Sequence, residues 1–318
     1  MTDIFKLAAV AALAFTLVLS CKKDEAAPAD IPSEQPVDPA TVPTTVAEPD
    51  SYVVAITDFT TTRGTLKIGG KLYMPKALVG KKPAIVMCHG LFGNYVQMEP
   101  YARAAAAMGI ASVCFDFCGG PAGKSLSDGD VARDNSVLTE VEDVMAVYNA
   151  ISIRDDIDPS RIVVMGMSQG GLVSALFAAK YPEKVKALGL LFPAFNLPDC
   201  VRFAVDTFFC EDPTKVPEGG VGIAVGKSNF TFSKKYVVDA YGLEPYKLIG
   251  NYTGNVEILH GTADFIVPVK FSEDAVTIYK DVHLDDLDGQ GHLFNKEGVE
   301  QAIGILQKWF PKVLPTVQ

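Results

Sequence analysis

Ser168 stands at the centre of Gly166-Met-Ser-Gln-Gly170, a Gly-x-Ser-x-Gly pattern that follows the apolar run Arg161–Met165 and precedes a helical pattern. A strand, a sharp turn and a helix in that order push a serine oxygen out above the end of a sheet. The flanking glycines have a physical reason there, because a turn without β-carbons lets the backbone crowd together. The chemistry this suits is acyl transfer. A serine hydroxyl is a poor nucleophile at its normal acidity, so it needs a base within hydrogen-bond reach and a third group that fixes the tautomer of the base. Four histidines are available. His89, His260 and His283 end or lie within strand-like runs, which favours structural roles. His292 sits in Gly289-Gln-Gly-His, a loop after the last such run, where its neighbours leave the imidazole free to reach the serine. The acid is expected between serine and histidine at the carboxyl end of a strand, and HGTADFIVP puts Asp264 there. Asp274, Asp281, Asp285, Asp286 and Asp288 share the interval but fall on a predicted helix or in the last strand and its exit, where solvated carboxylates are the default. Asp199 or Asp206, after the preceding strand, is the fallback.

Acyl transfer also builds negative charge on the carbonyl oxygen, which aligned backbone N–H donors stabilise by a few kcal/mol. The segment HGLFG, His89 to Gly93, follows a buried strand and could aim the N–H of Leu91 at the same spot as the N–H of Gln169. Gln169 is a candidate as the residue after the serine, and Leu91 as part of the loop after the strand Ala84–Cys88.

Positioning such groups requires a rigid sheet. Short apolar runs at Val53–Thr60 and Leu66–Met74 predict an antiparallel pair turning near Gly64. Runs at Ala84–Cys88, Ile110–Phe115, Arg161–Met165, Ala187–Phe192, Val256–His260 and Val282–Leu287 suit strands buried on both faces. Helical patterns lie between them at Val96–Met108, Val137–Ile151, Gln169–Tyr181, Phe271–Tyr279 and Val299–Trp309. The alternation predicts an α/β protein with a mostly parallel twisted sheet flanked by helices. The stretch from Phe192 to Val256 is far longer than one crossover needs and is rich in aromatic residues. An insertion over residues 194–255, with Val221–Val225 in a small hairpin, is expected to cap the site.

The chain of 318 residues is 48% hydrophobic and 21% charged, a globular composition. Its 28 basic and 38 acidic residues give a net charge of −10, which repels nucleic acid. Near the amino end, LAAVAALAFTLVL from Leu7 follows Lys6 and has signal-peptide length, which predicts a signal peptide over residues 1–20. Ser20 before Cys21 is similar to a bacterial lipobox, so lipidation at Cys21 and a disordered, proline-rich linker over 21–50 are expected. The implied location is exported and lipid-anchored to a bacterial membrane, on the periplasmic or the cell-surface side. Five further cysteines remain, Cys88, Cys114, Cys118, Cys200 and Cys210, of which the last two leave a bridge open. Metal-ligand spacings of cysteine and histidine and a dinucleotide-binding glycine turn are both missing from the sequence, so no metal or organic cofactor is expected.

Taken in order, KIGGKLYMP, HGLFG, FDFCGG with SDG, GMSQGG, HGTADFIVP and GQGHLF resemble the α/β-hydrolases, and within them serine esterases related to cinnamoyl and feruloyl esterases. The resemblance spans most of residues 51–318. It implies an α/β-hydrolase domain with a cap insertion, Ser168 as nucleophile, His292 as base, Asp264 as orienting carboxylate, and Leu91 with Gln169 as oxyanion donors. The substrate it implies is a small-molecule or polysaccharide-linked ester. The same triad serves serine aminopeptidases and acylglycerol lipases, and a surface-tethered binding protein that has lost catalysis is the alternative from another class.

Overall fold

Residues 51–315 are described by a computed structural model, apart from 77, 121–124, 131–133 and 226–227. The expected signal peptide, Cys21 and linker therefore lie outside the described residues. Strands β1 (Val54–Arg63) and β2 (Leu66–Pro75) pair antiparallel, and Gly64 makes the turn with a φ of +59° that favours glycine. Six parallel strands follow at β3 (Lys82–Cys88), β4 (Ala111–Phe115), β5 (Ile157–Met167), β6 (Ala187–Leu191), β9 (Asn255–Gly261) and β10 (Val282–Leu287). The sheet order is β1-β2-β4-β3-β5-β6-β9-β10, so β3 and β5 lie centrally and are buried on both faces. This is the mostly parallel sheet that the near-continuous apolar runs predict.

Helices cover both faces. On one side lie α2 (Val137–Ser152) and α3 (Gln169–Lys180), whose Val141, Val144, Leu172 and Val173 pack with Val86, Val113 and Val164 of the sheet. On the other lie α1 (Glu99–Ala107) and α8 (Lys296–Val313), whose Tyr101, Ala105, Leu306 and Trp309 meet Ile85, Met87 and Met165. Alternate strand residues thus feed opposite layers, as the two-residue period of a strand requires. The helix expected over Val96–Met108 begins instead as a 3-10 turn, Tyr95–Met98, because Pro100 fits only a first helical turn. The last helix runs past the expected Trp309, since Phe310, Val313 and Leu314 continue its buried stripe.

Between β6 and β9 the chain forms α4 (Leu197–Phe208), the hairpin of β7 (Val221–Val225) and β8 (Ser228–Phe232), α5 (Lys234–Tyr241) and α6 (Pro245–Leu248). The insertion carries a small apolar centre of Val205, Val216 and Val237. Its hairpin lies at the expected segment, whereas α4 and α5 are additions to the sequence reading. A short helix joins β9 to β10 at α7 (Lys270–Val276). The five described cysteines are free thiols, Cys200 and Cys210 included.

Candidate active site

Three side chains that lie far apart in the chain meet at the carboxyl ends of β5, β9 and β10. His292 Nδ1 is 2.7 Å from Asp264 Oδ2, and its Nε2 is 3.0 Å from Ser168 Oγ. A carboxylate only accepts, so Nδ1 carries the proton and Nε2 is left to accept from the serine hydroxyl. Ser168 and Asp264 are buried, and the His292 side chain is almost so.

Each member is held by its own loop. Ser168 links β5 to α3 with φ +51° and ψ −121°, backbone values that cost a residue with a side chain of order 1 to 3 kcal/mol. Its carbonyl compensates by accepting from the N–H groups of Gly171, Leu172 and Ala194, while its own N–H donates to Leu191. Gly170 is needed for a different reason. A β-carbon there would sit 2.3 Å from the carbonyl oxygen of His89 and 2.4 Å from that of Cys88, so α3 could not approach β3.

Asp264 follows β9, and its Oδ1 accepts from the N–H groups of Ile266 and Val267. Burial alone would raise its pKa, but hydrogen bonds from His260 and His292 override this and hold the carboxyl well below the usual range. His260 is a support that the sequence placed only as a strand-end residue. Its Nε2 donates to the Val267 carbonyl at 2.7 Å and also lies 3.4 Å from Asp264 Oδ2, while Nδ1 accepts from Ser272 at 2.7 Å. Asn196 at the start of the insertion donates to the Ile266 carbonyl, which ties this loop to the neighbouring one.

His292 comes from the loop after β10, beside Leu293 and Phe294, both at positive φ. The Phe192 ring packs edge-on to His292 with centroids 4.9 Å apart and to Phe294 at 4.7 Å. Seven described non-glycine residues have positive φ, and five of these (Phe92, Ser168, Phe192, Leu293 and Phe294) lie on the loops that build the site. Strain is therefore concentrated where side chains must be aimed.

Leu91 lies in a turn closed by the Gly93 N–H on the Gly90 carbonyl, with Phe92 at φ +54°. Gln97 Oε1 accepts from the Gly90 N–H at 3.0 Å, which ties the turn to the helix start that carries Gln97. Among the described residues neither the Leu91 nor the Gln169 N–H donates to a protein acceptor. The turn is adjacent to the serine, since a β-carbon on Gly90 would lie 3.3 Å from Ser168 Cβ. A small recess opens beside it, lined by Leu91, Phe92, Phe117, Gly119 and Glu140 among others. His89 braces the turn from below. Its Nδ1 donates to the Gly90 carbonyl and its Nε2 accepts from the Phe117 N–H, and burial lowers its basicity, so it is a neutral structural histidine.

The other acidic candidates lie elsewhere. Asp199 pairs with Arg202, Asp206 accepts from Tyr241, and Asp274 pairs with Lys270. Asp281 accepts from Asn255, Asp285 pairs with His283, and Asp288 accepts from Thr262. Glu257, His283 and Asp285 offer ligand-type atoms within 4.8 Å of one another. This cluster lies within β9 and β10, not on the loops at their carboxyl ends that carry Asp264 and His292, and is internally paired through His283.

The sequence reading missed the residues that brace the site: Gln97, Glu140, Phe192, Asn196, Tyr236 and the bridging role of His260. Only Glu140 left a signal. Spaced from Val137, Val144 and Val147 by three, four and seven positions, it lies on the apolar stripe of α2, where an acid must have a partner.

Comparisons with known proteins agree on the architecture. A family model for the alpha/beta hydrolase fold matches residues 83–209. Est1E from Butyrivibrio proteoclasticus, in a structure with ferulic acid bound, superposes with a TM-score of 0.71 at 23% identity, covering 81% of this chain and 100% of that one. Alpha/beta hydrolase domain-containing protein 10 from mouse superposes with a TM-score of 0.61 at 21% identity, covering 81% and 99%. In sequence, an uncharacterised protein of Mycobacterium tuberculosis is 28% identical over 129 residues, 40% of this chain and 42% of that protein. The chain thus matches about two-fifths of that curated relative's length, and it has the α/β-hydrolase fold.

Proposed function

We propose that this protein is a serine hydrolase of carboxylic esters that works through an acyl-serine intermediate. The observation that supports it most directly is the continuous hydrogen-bond chain Asp264–His292–Ser168. In the first half-reaction Ser168 Oγ attacks the ester carbonyl while His292 Nε2 takes its proton, and Asp264 stabilises the resulting imidazolium. The carbonyl oxygen, now negative, accepts from the N–H groups of Leu91 and Gln169. Collapse of the tetrahedral species expels the alkoxide, which leaves with the proton from His292. Water, deprotonated by the same nitrogen, then releases the acid and restores Ser168.

Esters of hydroxycinnamic acids are the proposed substrate class. Support comes from the aromatic surroundings of the turn that carries Leu91, where the Phe92 ring meets Phe232 of β8 at 5.3 Å and Phe232 meets Tyr236 of α5 at 4.9 Å. A flat aromatic acyl group gains most from such walls. The likeness to a structure holding ferulic acid points the same way, at the level of fold. Hydrolysis rates on methyl ferulate, p-nitrophenyl butyrate, a monoacylglycerol and an aminoacyl anilide test the reading. Methyl ferulate is expected to be the best of the four by kcat/KM. Fastest cleavage of the anilide would replace the esterase with an aminopeptidase, and fastest cleavage of the monoacylglycerol would replace it with a lipase.

For the cellular setting we propose export and attachment through a lipidated Cys21, which rests on the leader-like segment and the lipobox-like Ser20-Cys21. Among the described residues no helix is long and apolar enough to cross a membrane. Cys21→Ser in a bacterial host is expected to move the protein from the membrane fraction to the soluble fraction. Unchanged membrane retention would refute lipidation at this cysteine.

A further inference from the structure

The side chain of Gln169 plays no part in the acyl transfer described above, yet it is buried and bonded at every polar atom. Its Nε2 donates to both carboxylate oxygens of Glu140, each at 2.8 Å. Its Oε1 accepts from the Tyr236 hydroxyl at 2.5 Å. Asn135 Nδ2 supplies Glu140 with another N–H at 3.0 Å. Glu140 is on α2, Gln169 is the first residue of α3, and Tyr236 is on α5 of the insertion. One buried polar knot therefore joins the residue after the serine, the helix packed behind it and the insertion. A second tie runs parallel to it, from Ser136 Oγ at the start of α2 to Asp239 of α5 at 2.5 Å.

Glu140 is an expensive choice for such a place. Burial pushes it up to about 8, against the hydrogen bonds from Gln169 and Asn135, with Asp143 adding to the rise and Arg63 opposing it. An apolar side chain of similar volume would commonly serve stability as well or better. What the carboxyl group provides is direction, since its oxygens accept N–H groups from Gln169 and Asn135 and so fix the orientation of both amides. The first turn of α3 is in need of such a brace. Ser168, as its N-cap, makes no side-chain capping bond, because its oxygen is turned to His292.

We propose that Glu140 and Tyr236 are positioning residues of the oxyanion hole. They grip the Gln169 side chain from opposite ends, which keeps its backbone N–H aimed at the substrate oxygen and makes that aim depend on the docked insertion. The proposal rests on the acyl-transfer reading above.

The test uses Glu140→Gln and Tyr236→Phe in the otherwise intact protein. In the first, an amide N–H2 is brought against the N–H donors of Gln169 and Asn135; in the second, Gln169 Oε1 loses its donor while packing is kept. A misaimed oxyanion donor forfeits part of its worth, so kcat on the best ester is expected to fall about tenfold in each variant while KM stays within about twofold. Affinity for phenylboronic acid, whose adduct on the serine puts an oxygen in the oxyanion hole, is expected to fall by a similar factor. Fluorophosphonate should still label Ser168. A lowered melting temperature with kcat and boronate affinity unchanged would reduce the knot to a structural tie and overturn the proposal. So would a raised KM with kcat unchanged. Failure of the unaltered protein to label or hydrolyse any ester would instead sink the acyl-transfer reading itself.

Discussion

Ser168→Ala is expected to lower kcat on the best ester by about 10⁵-fold or more and to abolish fluorophosphonate labelling. In the proposed mechanism the other parts of the machine do not compensate, because without the serine oxygen no acyl-enzyme forms for the water that His292 activates to attack. The fold should survive the change. Ser168 makes its structural bonds through its backbone N–H and carbonyl, and among the described residues the hydrogen bond of the lost oxygen is to the imidazole. Circular dichroism and a thermal melt check that point. Persistent labelling at another serine would remove Ser168 from its proposed role. A companion variant separates strain from chemistry. Ser168→Gly should be equally inactive but more stable than Ser168→Ala by about 1 kcal/mol, since relief of the positive φ exceeds the added chain entropy of glycine.

Asp264→Asn is expected to cost about 10⁴-fold in kcat, with KM little changed, because the amide keeps the shape of the acid but cannot favour the Nδ1–H tautomer or the imidazolium. The variant also has a signature in stability. In the folded protein the carboxyl is held below its ordinary value of 3.8, so it contributes stability above the unfolded value, and that contribution is lost as pH falls through the folded one. The deficit of Asp264→Asn against the unaltered protein in urea unfolding should therefore be full at pH 7 and shrink in strongly acidic solution. A deficit that stays constant down to the acid limit would mean that the ionised carboxyl is not what the surrounding groups stabilise. Full activity in this variant would return the acid role to another residue.

Ser168, Asp264 and His292, which the structure brings within hydrogen-bond reach, each lie in a short, local pattern, as do Leu91 and Gln169, the proposed oxyanion donors. The Gly166-to-Gly170 run declares a crowded turn through its glycines, and the structure gives the reason in the 2.3 Å that would separate a Gly170 β-carbon from the His89 carbonyl. The sheet was legible for a related reason, since strands buried on both faces must be nearly continuous in apolar residues. Less of the insertion could be read. Its hairpin has local β-type residues, but α4 and α5 draw their stability from a small centre of Val205, Val216 and Val237 assembled from distant segments. Gln97, Asn196 and Tyr236 carry no sequence signal of their own. Their roles arise from single hydrogen bonds to backbone or side-chain groups that the chain brings near only on folding.

By itself, then, the order of residues singled out Ser168, Asp264 and His292 and the end of the sheet that carries them. It did so because turn chemistry and strand periodicity act over a few residues. Tertiary structure alone decided that His292 meets Asp264 across 28 residues of chain and Ser168 across 124, with the imidazole turned so that one nitrogen serves each. It alone also buried Glu140 between Gln169 and Asn135. The physical reason is that a hydrogen bond requires atoms within about 3 Å and a shared direction. Only packing of whole elements against one core supplies that over such separations.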